Sequence, residues 1–293
     1  MASTRAINAI KKSITRLYPK ELADSSWDNT GLLVEAPPAA APAANEKISI
    51  LLAIDLTRKV VDEALAGRHT FIVAYHPFIF RGLKAIAPSR DSQQESLVRL
   101  IQAGVSVYCP HTAVDAARGG VNDWLADGVS GGAAHESQPR EVVTPVESAV
   151  DGHADAGMGR VVHLATPVSF TALVARIKAH LGLAHVQVAL ADAHREAPDA
   201  ATIRSVALCA GSGASVLRGV RNADVHFTGE LGHHEALGLV ENGVSAIVCG
   251  HSNTERGFLV RLQEQLSAEL KKDWDGEFDI TVSKNDRDPL EIV

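Results

Sequence analysis

Short apolar runs that stop at polar residues, with stretches of helical period between them, recur along this 293-residue chain. ISILLAI (48–54), TFIVAY (70–75) and VSVYC (105–109) form one series. IRSVALC (203–209), DVHFTGE (224–230) and GVSAIVC (243–249) form another. Runs of this length without strict alternation read as strands covered on both faces, the signature of parallel sheets. The intervening stretches carry helical faces. Thr57 caps a helix with Val60, Val61, Ala64 and Leu65 on one side, and a further helix is predicted near 92–103. Phe170, Leu173, Val174, Ile177 and Leu181 line another face, and Phe258, Leu259, Leu262 and Leu266 line the last. The alternation predicts an α/β fold built from βαβ units.

The boundaries follow from the gaps in this pattern. A first helix over 6–17 presents Ile7, Ile10, Ile14 and Leu17, and Pro19 marks its end. Asp28, Asn29 and Gly31 read as turn chemistry. The Ala/Pro stretch 36–45 reads as a surface loop or flexible connection. We predict a first lobe over 1–127, a linker or short insertion over 128–159, and a second lobe over 160–293. The two lobes read as related halves, since each repeats the strand–helix alternation.

The net charge of −7 removes a bulk basic surface for nucleic acid. No apolar run approaches the length of a membrane span. Three cysteines, Cys109, Cys209 and Cys249, are an odd number in a chain this long, which speaks against a disulfide framework and for a reducing compartment. The expected location is the cytoplasm. The basic N-terminus, without an acid until Glu21, makes a mitochondrial segment the alternative to a plain first helix.

Histidine and acid gather where strands end. His76 follows TFIVAY, a position suited to metal or proton chemistry, or to a turn histidine held by a carbonyl. His111 and Asp115 follow VSVYC four residues apart and would share a face if that stretch is helical, although Asp115 could equally serve a local backbone amide. His251 and Glu255, again four apart, follow GVSAIVC; Glu255 could also be an acid in a first helical turn. Glu230, His233, His234 and Glu235 cluster after DVHF, too many to meet one metal, and read as contacts behind the ligands, substrate contacts or a polar helix start. Nitrogen and oxygen donors at several strand ends, expected to converge on one sheet edge, fit a catalytic metal site better than a structural zinc site, and no CxxC pair exists. Gly211-Ser212-Gly213 starts like a dinucleotide fingerprint, but Val216 occupies the third glycine position. No Walker A motif or serine-hydrolase elbow is present.

Six ordered blocks carry a resemblance over nearly the whole chain: SWDNTGLLVE (26–35), AYHPFIFRGLKAI (74–86), HTAVDAARGGVND (111–123), CAGSGASVL (209–217), DVHFTGELGHHEA (224–236) and GHSNTERG (250–257). Together they resemble the Nif-three-like family, also labelled GTP cyclohydrolase I type 2 homologs. The resemblance implies two related α/β lobes with largely parallel sheets and a metal cleft between them. It further implies two divalent ions per chain, with Zn, Fe or Mn the candidates, and a toroidal hexamer. Carried over by position, the metal ligands are His76, Asp115, His251 and Glu255. Tyr75 stands where many members have the first His of His-His-Pro, as in the eukaryotic-type branch with Tyr-His-Pro. A neutral phenol is a poorer ligand than imidazole, so one metal position is expected to be weaker or differently coordinated.

The resemblance leaves two functions. One is a metal-dependent hydrolase acting on a small-molecule nucleotide or phosphoester, with His111 and His233 as proton-transfer candidates and Tyr75, Glu230 and His234 around the site. The other is a non-enzymatic metal-holding scaffold, or a protein partner of transcription or metal-handling factors.

Overall fold

The computed structural model describes residues 1–38, 46–147 and 150–292. Most of the predicted Ala/Pro loop therefore lies outside the described residues. The chain divides into two compact units, Met1–Val114 with Leu259–Arg287, and Asp115–Phe258 with Asp288–Val293.

The first unit opens with α1 (Thr4–Leu17), where the Ser3 hydroxyl accepts from the Ala6 amide and Ile7, Ile10 and Ile14 are buried. β1 (Gly31–Val34), β2 (Ile48–Ala53), α2 (Arg58–Ala66), β3 (Phe71–Ala74), α3 (Ser92–Ala103) and β4 (Ser106–Cys109) follow, and then α4 (Thr112–Ala116), which runs across the division. Thr57 caps α2 by accepting from the Val60 amide, as its spacing predicts. β3 and β4 are buried at every position and β2 at all but one, so these strands are covered on both faces. Val60, Val61 and Ala64 of α2 and Leu97 and Leu100 of α3 pack against Leu51, Ile72 and Val107.

The second unit contains α5 (Val121–Ser130), β5 (Glu141–Pro145), β6 (Gly157–Val168), α6 (Phe170–Leu181), β7 (Gln187–Ala189), α7 (Asp192–Glu196), β8 (Ile203–Cys209), α8 (Ala214–Leu217), β9 (Val225–Thr228), α9 (His233–Glu241) and β10 (Ser245–Val248). The stretch 128–159, read from sequence as a linker or insertion, holds the end of α5, a short 3-10 turn, β5 and the start of β6. The chain then returns to the first unit through α10 (Phe258–Leu270) and β11 (Phe278–Val282). The sequence-ordered lobes thus differ from the compact units because β11 pairs in parallel with β2, from Phe278 opposite Ile48 to Val282 opposite Leu52.

Two sheets result, ordered β1-β4-β3-β2-β11 and β5-β6-β8-β9-β10-β7. In the first, β4, β3, β2 and β11 run parallel and β1 is antiparallel at the edge. In the second, β8, β9 and β10 form the parallel centre, flanked by antiparallel strands. The strand ends carrying histidine and acid therefore belong to two sheets, as the two-lobe reading expects, and not to a single sheet edge. No helix among the described residues is long and apolar enough to cross a membrane.

β11 leads into a buried acid. Asp286, 7% exposed, accepts from the Ile54 amide at 2.7 Å, just past the end of β2. Asp286→Ala leaves that buried amide without its acceptor. We expect a loss of about 1–3 kcal/mol in stability by denaturant titration. An unchanged unfolding midpoint would show that the acid does no structural work there.

Candidate functional site

Parallel strands buried on both faces release their polar residues where the sheet ends. In the first unit Asp55, His76 and His111 lie just beyond β2, β3 and β4, the three adjacent parallel strands. The His76 Nδ1–H donates to Asp55 Oδ1 at 2.9 Å. His111 is 8% exposed and its Nδ1–H donates to Asp28 Oδ1 at 2.7 Å. The Asp28 side chain, 1% exposed, also accepts from the Thr30 hydroxyl at 2.8 Å, the Thr112 amide at 3.2 Å and the Thr112 hydroxyl. A carboxylate only accepts, so each acid fixes its imidazole in the tautomer protonated at Nδ1. Tyr75 is buried; its amide donates to the Ala53 carbonyl and its carbonyl accepts from the His111 amide. The rings of His76 and His111 meet edge to face at 5.4 Å, with Tyr75 edge-on to both.

Burial alone pushes the Asp28 carboxyl up. The hydrogen bonds from His111 and Thr112, the His111 charge and the Thr30 hydroxyl together outweigh it and bring the pKa down to about 2. His111 itself has φ 35° and stands before α4, so the condition for its sharing a helical face with Asp115 is not met.

The second unit repeats the arrangement. Gly211, Glu230 and His251 follow β8, β9 and β10. Their turns are bonded backbone to backbone: the Gly229 and Glu230 amides donate to the Gly211 carbonyl, and the Gly250 amide donates to the Gly229 carbonyl. A Cβ on Gly229 would sit 2.7 Å from the Gly211 oxygen and 2.9 Å from the Gly250 oxygen, which explains the glycine there. Thr254, fully buried, accepts from the Gly211 amide at 2.8 Å and donates to the His251 carbonyl at 2.7 Å. His251 stands between two acids, with Nδ1 3.2 Å from Glu230 Oε2 and Nε2 3.4 Å from Glu255 Oε1. Glu255 is 2% exposed and follows a 3-10 turn, Ser252–Thr254, ahead of α10. Asn122 spans this end of the sheet: its Oδ1 accepts from the Ala210 amide and its Nδ2 donates to the Asp115 carbonyl. Burial, with the charges of Asp115 and Glu255, raises the Cys209 thiol pKa; burial raises Cys109 and Cys249 to about 12. His233 and His234 open α9, exposed and edge to face at 5.2 Å.

Comparison with known proteins places this chain. Residues 5–289 match the family model described as Duf34/NIF3 (NGG1p interacting factor 3). The chain belongs to the NIF3 family. It is 43% identical to "NGG1-interacting factor 3" of Saccharomyces cerevisiae, covering 100% of this chain and 99% of the relative. It is 46% identical to "Protein NIF3 homolog" of Schizosaccharomyces pombe, covering 99% of both. The crystal structure of a Bacillus cereus protein related to NIF3 shares the fold, with a TM-score of 0.79 at 21% identity over 98% of each chain.

For this NIF3-family chain, the residues singled out in sequence are drawn from both units. His76, His111 and Tyr75 come together in the first unit, whereas Asp115, Glu230, His251 and Glu255 belong to the second. Asp28, Asp55, Asn122 and Thr254 were not among the sequence candidates. The signal for Asp55 was its place at a strand exit, shared with the histidines; Asp28 was hidden by its resemblance to turn chemistry.

A carboxyl depressed to about 2 stabilises the fold fully above its unfolded value, and that contribution is lost as pH falls through the folded one. The stability difference between wild type and Asp28→Asn is expected to be on the order of 2 kcal/mol above about pH 5 and to shrink between about pH 4 and 2. Urea titrations across that range measure it. A difference that stays constant over the range would mean that ionisation of Asp28 is not what holds His111.

Proposed function

We propose that this NIF3-family protein is a divalent-metal-dependent hydrolase of a nucleotide or phosphoester, with His76, Asp115, His251 and Glu255 as metal ligands. The observation that carries the reading is the paired donor set of His251 and Glu255 beside Gly211. Their 3.4 Å separation matches the edge of about 3.3 Å that joins two ligands of a tetrahedral ion with bonds near 2.0–2.1 Å. A Cβ on Gly211 would lie 2.7 Å from Glu255 Oε1 and 2.9 Å from His251 Nε2, so the glycine keeps that edge open. The donor chemistry fits as well. His76, His251 and Glu255 offer two imidazoles and a carboxylate, a set suited to one divalent ion of intermediate softness. A second ion, as the family resemblance implies, would draw on Asp115 and on a position where Tyr75 replaces an imidazole. Zn, Fe and Mn are the candidates.

When bound, such ions supply Lewis acidity and lower the pKa of water. The chain supplies the rest. Asp55 on His76 Nδ1 and Glu230 beside His251 Nδ1 orient each ring so that Nε2 is the ligand nitrogen, the usual part of an acid behind a metal-bound histidine. His111, held by Asp28 at Nδ1, keeps Nε2 for taking and returning a proton. His233, exposed at the start of α9, is the other proton-transfer candidate, with His234 beside it.

The scaffold reading keeps one specific support, the name of the yeast relative as an NGG1-interacting factor. A protein partner of that kind would need an occupied metal site or a protein surface, but no turnover. The same resemblance makes a homohexamer our proposed assembly, a closed ring that ends growth without open patches.

Metal analysis tests the first reading. Glu255→Ala, Asp115→Ala and Gly211→Ala are each expected to lower metal uptake at least tenfold while the fold persists. His233→Ala should keep the metal and slow any metal-dependent turnover. A protein that takes up no divalent ion, or Asp115→Ala that unfolds yet keeps its metal, would overturn the assignment. Light scattering after size exclusion tests the assembly. Six times the 31.0 kDa chain mass is expected, and a mass near one chain refutes it.

A further inference from the structure

Two large aromatic side chains stand in water next to His111. Trp27 is 55% exposed and Phe80 is 52% exposed. Their rings are parallel within 5°, with centroids 6.5 Å apart. His111 is perpendicular to both and nearly equidistant, 5.6 Å from Trp27 at 85° and 5.8 Å from Phe80 at 89°. Exposed aromatic surface of this kind costs free energy unless something covers it.

The Trp27 ring and the backbone that carries Phe80 are also held in place. The Trp27 indole N–H donates to Asp24 Oδ2 at 2.9 Å, and the Asp24 amide donates to the Thr112 hydroxyl at 3.0 Å, beside His111. Asn29 Nδ2 donates to the Ile79 carbonyl at 2.5 Å, which ties the Trp27 loop to the residue before Phe80. Gln93 donates to the Phe78 carbonyl at 2.6 Å from α3. Ordering the Trp27 ring and the Phe80 segment before a ligand arrives removes part of a cost that binding would otherwise carry. With Nδ1 of His111 on Asp28, Nε2 is the nitrogen left for a ligand's polar edge.

We propose that Trp27 and Phe80 form a stacking site for a planar heteroaromatic ring of the nucleobase type, whose polar edge meets His111. The site deepens the enzymatic reading by naming the substrate as a nucleoside or nucleotide, and for the role of His111 it rests on that reading. Ring faces bind any base, and an imidazole nitrogen at the edge prefers a ring with heteroatoms over a phenyl group.

Calorimetry and tryptophan fluorescence on the full chain test the proposal. The probes are the 5′-monophosphates of adenosine, guanosine and uridine, with ribose 5-phosphate as the control without a ring. The nucleotides are expected to bind at least tenfold more tightly than ribose 5-phosphate and to quench fluorescence. Trp27→Ala and Phe80→Ala should each weaken nucleotide binding about tenfold. Trp27→Phe should keep most of the affinity and lose the quench. Both side chains are exposed, so the variants should fold, which circular dichroism verifies. Nucleotides that bind no better than ribose 5-phosphate, or that keep full affinity for the Trp27→Ala/Phe80→Ala double variant, overturn the site. Turnover enters none of these measurements. A protein that stacks nucleotides but hydrolyses nothing would sink the hydrolase reading and leave the ring site standing.

Discussion

Strands covered on both faces have no room for a charged side chain along their length, because a buried charge without a partner is expensive. β2, β3, β4 and β10 carry no Asp, Glu, Lys, Arg or His, and the histidines and acids of the candidate site stand instead where β2, β3 and β4 end in one sheet and where β8, β9 and β10 end in the other. Everything else about the candidate residues depends on that exclusion. It sets which residues can be histidine or acid, and it places them next to one another within each unit. It also leaves their turns to find hydrogen bonds outside the sheet ladder. Gly211, Gly229 and Gly250 solve the last problem by bonding to each other's backbone.

The acids around the imidazoles do a second kind of work. Asp55, Asp28 and Glu230 each stand at the Nδ1 of a different histidine. For His76 and His111 the hydrogen bond decides a tautomer before any ligand is present, and a carboxylate beside Nδ1 recurs in the second unit at His251. Asp28 is the most elaborate case, since the same carboxylate gathers Thr30 and Thr112 and so locks the start of α4. The N-terminal block SWDNTG thereby serves the same histidine twice, through Asp28 beneath it and Trp27 beside it.

Much of this was legible in the chain. The strands and the buried faces of α2 and α10 follow from short apolar runs and 3.6-residue spacing, which local sequence carries. The histidines were legible for the same reason, since each follows a recognisable strand. Pairing between distant segments was not. β11 joins β2 across more than 220 residues, and nothing local in FDITV selects that neighbour. The division of the main strands between two sheets was legible, because the two strand series fall in separate halves of the sequence. Four-residue spacing would place His111 and Asp115 on one face only within a helix, and the left-handed φ of His111 puts it outside α4. Asp28 and Thr254 escaped because their partners lie in other segments, and their residue types are the ordinary ones of turns.

The three cysteines sit at or beside the last residues of β4, β8 and β10, buried and with their thiols pushed towards the neutral form. A thiolate is the form that oxidants and alkylating reagents attack. In the folded chain these sulfurs are thus chemically silent twice over, by exclusion of the reagent and by suppression of the reactive species. They become visible only when a strand leaves its sheet. Cys109 belongs to one unit, and Cys209 and Cys249 to the other, so the chain carries its own built-in markers for telling which half opens first.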